Sequence, residues 1–290
     1  MAWPPLFALS AALCFGVAAV LLRRALQHAT PIAATVVSVT FTTAAVWLLA
    51  GTTQPVERVL TPAILPFVLA GLIAPGISRL GVYVGVGRIG VGRSMAVAAT
   101  SPLFAVGLAI FFLGERPSRL AVLGAACVVA GGALLAYRAQ ADRSWRRRDM
   151  VFPLIGAIGF AVRDNISRLG FREFDQPLLA AAAAAGASCV VMWSFAAFMR
   201  GSGHIRASGR GLGLLALSGS VEGLAYVTMW QALAVSPVAV VSPLVNSHSI
   251  FTVALAALFL RDLERVTWRL TLAAVLIVAG VALVIRFGTA

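Results

Sequence analysis

The sequence predicts an all-α membrane protein of about ten transmembrane helices, arranged as two inverted five-helix repeats. Three observations carry that reading: an apolar excess too large for a soluble core, apolar runs of membrane-spanning length along almost the whole chain, and an internal match between its halves. Of 290 residues, 60% are hydrophobic and 11% charged, and the mean hydropathy is +0.95. A soluble domain is about 45–50% apolar and about 25% charged. As a helix, an apolar run of about 20 residues rises about 30 Å, the thickness of the hydrocarbon layer.

Spans bounded by charge, Pro or Gly clusters fall at Pro4–Leu22, Pro31–Ala50, Ala63–Val86, Val91–Leu113 and Leu120–Tyr137. After the polar stretch Arg138–Asp149 come Met150–Leu169, Pro177–Phe198, Leu212–Leu233, Pro237–Leu260 and Leu270–Ile285. The expected organisation is a first repeat over 1–138, a basic linker over 139–149 and a second repeat over 150–290. No basic n-region or clear cleavage motif marks a signal peptide, so the first run is expected to stay as a span.

Sliding the chain on itself supports the duplication. Phe112-Leu113-Gly114-Glu115 answers Phe259-Leu260-Arg261-Asp262 at an offset of 147 (262 − 115), shared by Phe104/Phe251 and Gly76/Gly223. The offset drifts to 148 at Gly132/Gly280 and to 145 at Phe15/Phe160 and Arg23/Arg168, as short loop insertions would cause. With an odd number of spans per half, the second half enters from the opposite face. Two inverted halves around a midplane site are a transporter architecture.

The formal charge is +13, from 23 basic and 10 acidic residues, and every basic residue is arginine. Most of these arginines sit in short gaps between apolar runs, which fits headgroup attraction and excludes a continuous nucleic-acid-binding face. The expected partners are a small-molecule substrate and the lipid bilayer. Cys14, Cys127 and Cys189 lie singly inside apolar runs and suggest neither disulfides nor a metal site. No cofactor is expected.

Ser101-Pro102-Leu103-Phe104, then Phe112-Leu113-Gly114-Glu115-Arg116-Pro117-Ser118, then the Gly-rich run through Ala130-Gly131-Gly132 resemble the EamA-type branch of the drug/metabolite transporter superfamily. The second copy reads Ser242-Pro243-Leu244, Phe259-Leu260-Arg261-Asp262 and Val278-Ala279-Gly280, with Arg261 replacing the turn glycine. Phe160-Ala161 through Arg168 is similar to the family's first helix of the second repeat, with Phe160 where tryptophan is common. The resemblance covers nearly the whole chain. It implies a ten-helix, multi-pass transporter of metabolites or small amphiphiles in a bacterial inner membrane.

An ionisable group inside a span costs about 2.5–3.5 kcal/mol on insertion scales, so each needs a reason. Glu222, Tyr226 and Trp230 recur at i, i+4 and i+8 and share a helix face suited to a cation or a transferable proton. Arg79 stands where Tyr226 stands in the other repeat (226 − 79 = 147), and Tyr83 follows one turn on. Together they can clamp an anion through the guanidinium fork, or Arg79 neutralises Glu222 or Asp164. Arg163, Asp164 and Asn165 lie in the sixth span. Asp164 and Arg168 are spaced for an intrahelical pair, and Arg168 is also placed to snorkel to headgroups. In the ninth span Asn246 and His248 gather polarity near mid-membrane, either for substrate or to join helices. Glu115 and Asp262 are expected to favour the starts of the fifth and tenth helices through the dipole.

A secondary transporter is the leading reading, because no Walker-type loop with lysine and no soluble nucleotide-hydrolysing domain is present. Abundant intramembrane arginine favours an anionic or zwitterionic metabolite. If transport is proton-coupled, the carriers are Glu222, Asp164 or His248, since arginine keeps its proton. The competing class is a membrane-embedded enzyme or lipid-binding scaffold, but neither Gly-x-Ser-x-Gly nor His-Glu-x-x-His occurs. The positive-inside rule puts both termini outside the cytoplasm, whereas the resemblance implies the reverse. The resemblance is given more weight because some of the arginines are also candidate site residues.

Overall fold

The computed structural model describes residues 4–136, 146–198, 205–259 and 268–288. The apolar runs become helices: α1 (Pro4–Ala25), α2 (Pro31–Thr53), α3 (Leu65–Gly71 and Ser78–Ile89) and α4 (Val91–Ala98 and Ser101–Leu108). Next come α5 (Arg119–Ala136), α6 (Val151–Gly170), α7 (Pro177–Phe198) and α8 (Gly209–Val235). The last two are α9 (Val238–Asn246 and His248–Phe259) and α10 (Trp268–Phe287). Among the described residues nine spans are long and apolar enough to cross a membrane, and a tenth apolar stretch, Thr271–Phe287, is shorter. Helix starts carry local signals. Thr30 caps α2 by accepting from the Ala33 N–H (3.4 Å), and Ser208 caps α8 through the Gly211 N–H (3.2 Å).

Five crossings in the first half invert the second. The outer ends of α1 and α10 therefore share one end of the bundle, here the termini end. The opposite end, bracketed by Ala136 and Arg147, is the linker end.

Packing repeats under exchange of the halves: α1 packs on α8 and α9 as α6 packs on α3 and α4, while α2 meets α7 and α5 meets α10. One joint is built twice in atomic detail. Gly71 of α3 lies against the Ala184 carbonyl of α7, and Gly219 of α8 against the Ser38 carbonyl of α2, with no room for a Cβ at either. Beside each, a hydroxyl bridges the crossing: Ser188 Oγ donates to the Gly71 carbonyl and Thr42 Oγ1 to the Gly219 carbonyl, both at 2.9 Å. Small residues let backbones approach, which is how helices gain contact where lipid removes the hydrophobic drive.

Three spans expected as single helices are interrupted. In α3 Ala74 is extended (φ −148°, ψ 129°) within a π-helical stretch, Leu72–Ile77, that contains Pro75, which has no N–H to donate. Turns at Ala99-Thr100 in α4 and at Ser247 in α9 fall at equivalent positions, 147 apart (247 − 100). Pro102 follows the break in α4, whereas Pro243 precedes the break in α9. The two Ser-Pro pieces that match in sequence are thus not structural equivalents, and His248-Ser249 holds the place of Ser101-Pro102.

Candidate functional site

Glu222 lies 13 residues from either end of α8, about 20 Å from each bundle face at 1.5 Å per residue. Arg79, just past the α3 break, reaches it: Arg79 Nη2 is 2.6 Å from Glu222 Oε1. The pair is not fully sealed, because the Arg79 side chain is 22% exposed and that of Glu222 11%. Tyr83 and Tyr226 flank the guanidinium. Tyr83, one turn toward the linker end, is 43% exposed, and its hydroxyl accepts from Thr35 Oγ1 at 3.1 Å.

A second ion pair lies beside the first. Arg163 holds Asp164 Oδ1 through Nη2 (2.6 Å) and Nε (3.0 Å), and both residues are buried. The Arg163 guanidinium stands 5.2 Å from the Phe160 ring centroid and beside Tyr226. Asp164 therefore pairs with its neighbour and not with Arg168, because two bonds to one guanidinium satisfy it locally. Arg168 does not snorkel to headgroups. Its Nη1 donates to the carbonyls of Leu233 (3.0 Å) and Ala234 (2.7 Å), the unsatisfied C-terminus of α8.

The remaining candidates diverge. Asn165 turns to α4, donating to the Ala105 carbonyl at 3.0 Å as well as to Ala161 at 2.9 Å. Asn246 is half-buried and donates to the Ser242 carbonyl at 2.9 Å, just before the α9 break. His248, just after it, has a buried Nδ1 without a partner among the described residues. Its ring is 6.1 Å from Phe15, and Phe15 is 6.0 Å from Tyr226, so Phe15 links α9 to the charged centre.

Trp230 leaves the stripe it shares in sequence with Glu222. It is fully buried near the termini end, 5.6 Å from Phe67 and 6.1 Å from Phe171, and Phe174 also packs on Phe67 at 5.6 Å. This aromatic plug closes the termini end. Its repeat counterparts are exposed: Tyr83, at the position of Trp230 (230 − 83 = 147), and Leu26, at that of Phe171 (171 − 26 = 145), are each 43% exposed. The aromatic plug at the termini end thus has no counterpart at the linker end. Thr35 and Phe67 carried no sequence signal, since such a residue inside a span looks like any other until its neighbours are known; Phe15 entered only as a repeat match, and Phe171 and Phe174 fall between two expected spans.

Glu115 also differs from expectation. Its carboxylate does not serve the start of α5, where Ser118 Oγ accepts from the Ala121 N–H (3.1 Å). Instead it crosses to the second repeat and accepts from the N–H groups of Val238 (2.8 Å) and Ala239 (2.9 Å) in α9. Asp262 lies outside the described residues.

The sequence pattern of the EamA-like transporter family matches residues 2–137 and again 149–286. The chain belongs to the EamA-like transporter family. Its fold is shared with a solved protein crystal structure at TM-score 0.81 and 18% identity, covering 97% of this chain and 95% of that one. No functionally curated protein matches in sequence. As an EamA-like chain with many apolar helices, it is a multi-pass integral membrane protein. In this EamA-like chain the arginines of the centre, Arg79 and Arg163, are separate from those at the helix ends. Arg88 pairs with Asp149 at 3.1 Å, Arg23 and Arg24 end α1, and Arg210 opens α8.

Proposed function

We propose that the chain is a secondary transporter carrying a small metabolite by alternating access, and that the Arg79–Glu222 pair is where the substrate binds. The observation that carries this is the pair's position: midway along its helix, beside an interrupted helix, partly exposed, with an aromatic plug filling only the termini end of the bundle. Arg79, Arg163, Glu222 and Asp164 sum to zero charge. A lone anion would add uncompensated charge to a low-dielectric site, whereas a zwitterion would add none, so of the anionic and zwitterionic classes the second fits better. Its carboxylate takes Arg79 and its cationic group takes Glu222, exchanging one ion pair for two.

Uptake or efflux in reconstituted vesicles should vanish in Arg79→Ala and in Glu222→Gln. Normal transport by both folded variants overturns the site. A thermal-shift screen of carboxylates, zwitterionic amino acids and lipophilic cations should single out zwitterions, and selective stabilisation by cations counts against the class. For orientation, ten arginines among the described residues belong to the linker end, against six at the termini end: Arg58, Arg116, Arg119, Arg168, Arg172 and Arg286. We infer that the linker end is cytoplasmic, contrary to the orientation the resemblance implies.

A further inference from the structure

We propose that Glu115 and Arg168 form a latch that holds the termini end shut, and that its release yields the opposite state, with Trp230 wetted and Tyr83 buried. The proposal rests on the alternating-access reading and adds the residues that govern it. The latch grips the α8–α9 turn from both sides. Glu115, in the turn between α4 and α5, takes the first N–H groups of α9 with both carboxylate oxygens, across 123 and 124 residues of chain. Arg168, on α6, takes the last carbonyls of α8. Acid on the N-terminus and base on the C-terminus each complement the helix dipole there. Arg172 adds a longer bond, 3.4 Å, from just past α6 to the Leu113 carbonyl at the end of the α4 span. Four helix ends from both repeats therefore meet at one charged knot above the aromatic plug.

A layer of unsatisfied polarity lies just beneath. Asn165 Oδ1, Ser242 Oγ and Trp230 Nε1 are buried with no partner among the described residues. Each stands four or five residues from the termini end of its helix segment, about 6–8 Å deep. A buried polar atom without a partner is costly in a dry interior and recovers its hydrogen bond when water enters. Three such atoms at one depth suit a surface that is dry in one state and wet in the other, and do not suit a permanent floor. The repeat supplies the shape of the other state: exchanging the halves exchanges the exposures of Tyr83 and Trp230.

The test uses full-length protein in nanodiscs with Cys14, Cys127 and Cys189 replaced by serine and a single reporter, Ser242→Cys or Tyr83→Cys. The measured quantity is its reaction rate with a water-soluble maleimide. Glu115→Ala and Arg168→Ala are expected to raise labelling at position 242 at least tenfold and to lower it at position 83. Glu115→Gln, which keeps one acceptor oxygen, should fall between, and it carries the test alone if the alanine variants do not fold. An unchanged rate at 242, or rates that rise together at both positions, overturns the latch. No substrate is involved, so the latch can fail while the transport reading survives, and failure of the vesicle assays leaves the labelling result intact.

Discussion

Replacing Glu222 with glutamine removes a charge from the centre and leaves the Arg79 guanidinium without its partner. At an effective dielectric of about 20, unit charges about 4 Å apart attract by about 4 kcal/mol. Stripping one member from a buried pair typically costs about 3–5 kcal/mol. The 22% exposure of the Arg79 side chain lets solvent recover part of this, which places the expected loss near the lower bound, about 3 kcal/mol. At about 2–4 °C per kcal/mol, the thermal midpoint should fall by about 6–12 °C. Melting in nanodiscs of Glu222→Gln, Arg79→Gln and the double variant forms a cycle, and the double variant should recover most of the loss because no charge is left alone. Purely additive losses would refute the coupling. Vesicle transport by the same double variant separates function from packing: a stable protein that no longer transports identifies the pair as the substrate's, whereas a stable protein that transports normally reduces it to internal neutralisation.

Gly219→Ala and Gly71→Ala should each lower stability by about 1–3 kcal/mol through overpacking against a backbone carbonyl, read as a fall in melting temperature. Gly107→Ala, with nothing within 4 Å of the new methyl, should not. Thr42→Ala and Ser188→Ala should cost similar amounts, about 0.6 kcal/mol for an interhelical hydrogen bond in lipid; clearly unequal losses in the same melts would contradict the equivalence of the two joints. Arg163→Ala should destabilise strongly by stranding the buried Asp164, and Asp164→Asn added to it should restore the melting temperature. A reporter active only outside the cytoplasm should be active when fused at the C-terminus, and a fusion active only in the cytoplasm would reverse the assigned orientation.

Periodicity and self-similarity exposed the frame because they depend on span length and on residues such as Gly, Phe and Arg recurring at a fixed offset. Arg79 and Glu222 stood out for the same elementary reason: a charge in the middle of an apolar run is expensive, so its presence needs no structure to be noticed. Partnership was less legible. Helical spacing offered Arg168 to Asp164, but Arg163 lies next to that carboxylate and holds it with two bonds. Trp230 shares a face with Glu222 in sequence, yet two turns along α8 carry it from the open centre into the sealed end. The destination of Glu115 was invisible in the chain, since its partners are backbone amides more than 120 residues away. The breaks in α4 and α9 were hidden too, because the residues at them are ordinary and the proline lies on a different side in each copy.

The two copies share a scaffold but not its furnishings: Tyr226 answers Arg79, Trp230 answers Tyr83, and Glu222 answers Pro75 (222 − 75 = 147). Under the proposed alternating access, an indole would seal one mouth and a phenol the other, so equal energies for the two resting poses would be a coincidence. Forward and backward half-cycles then run at unequal speeds, although the solute gradient alone fixes the net direction. On that reading, the drift between the halves sets how fast the carrier runs each way and not which way it runs.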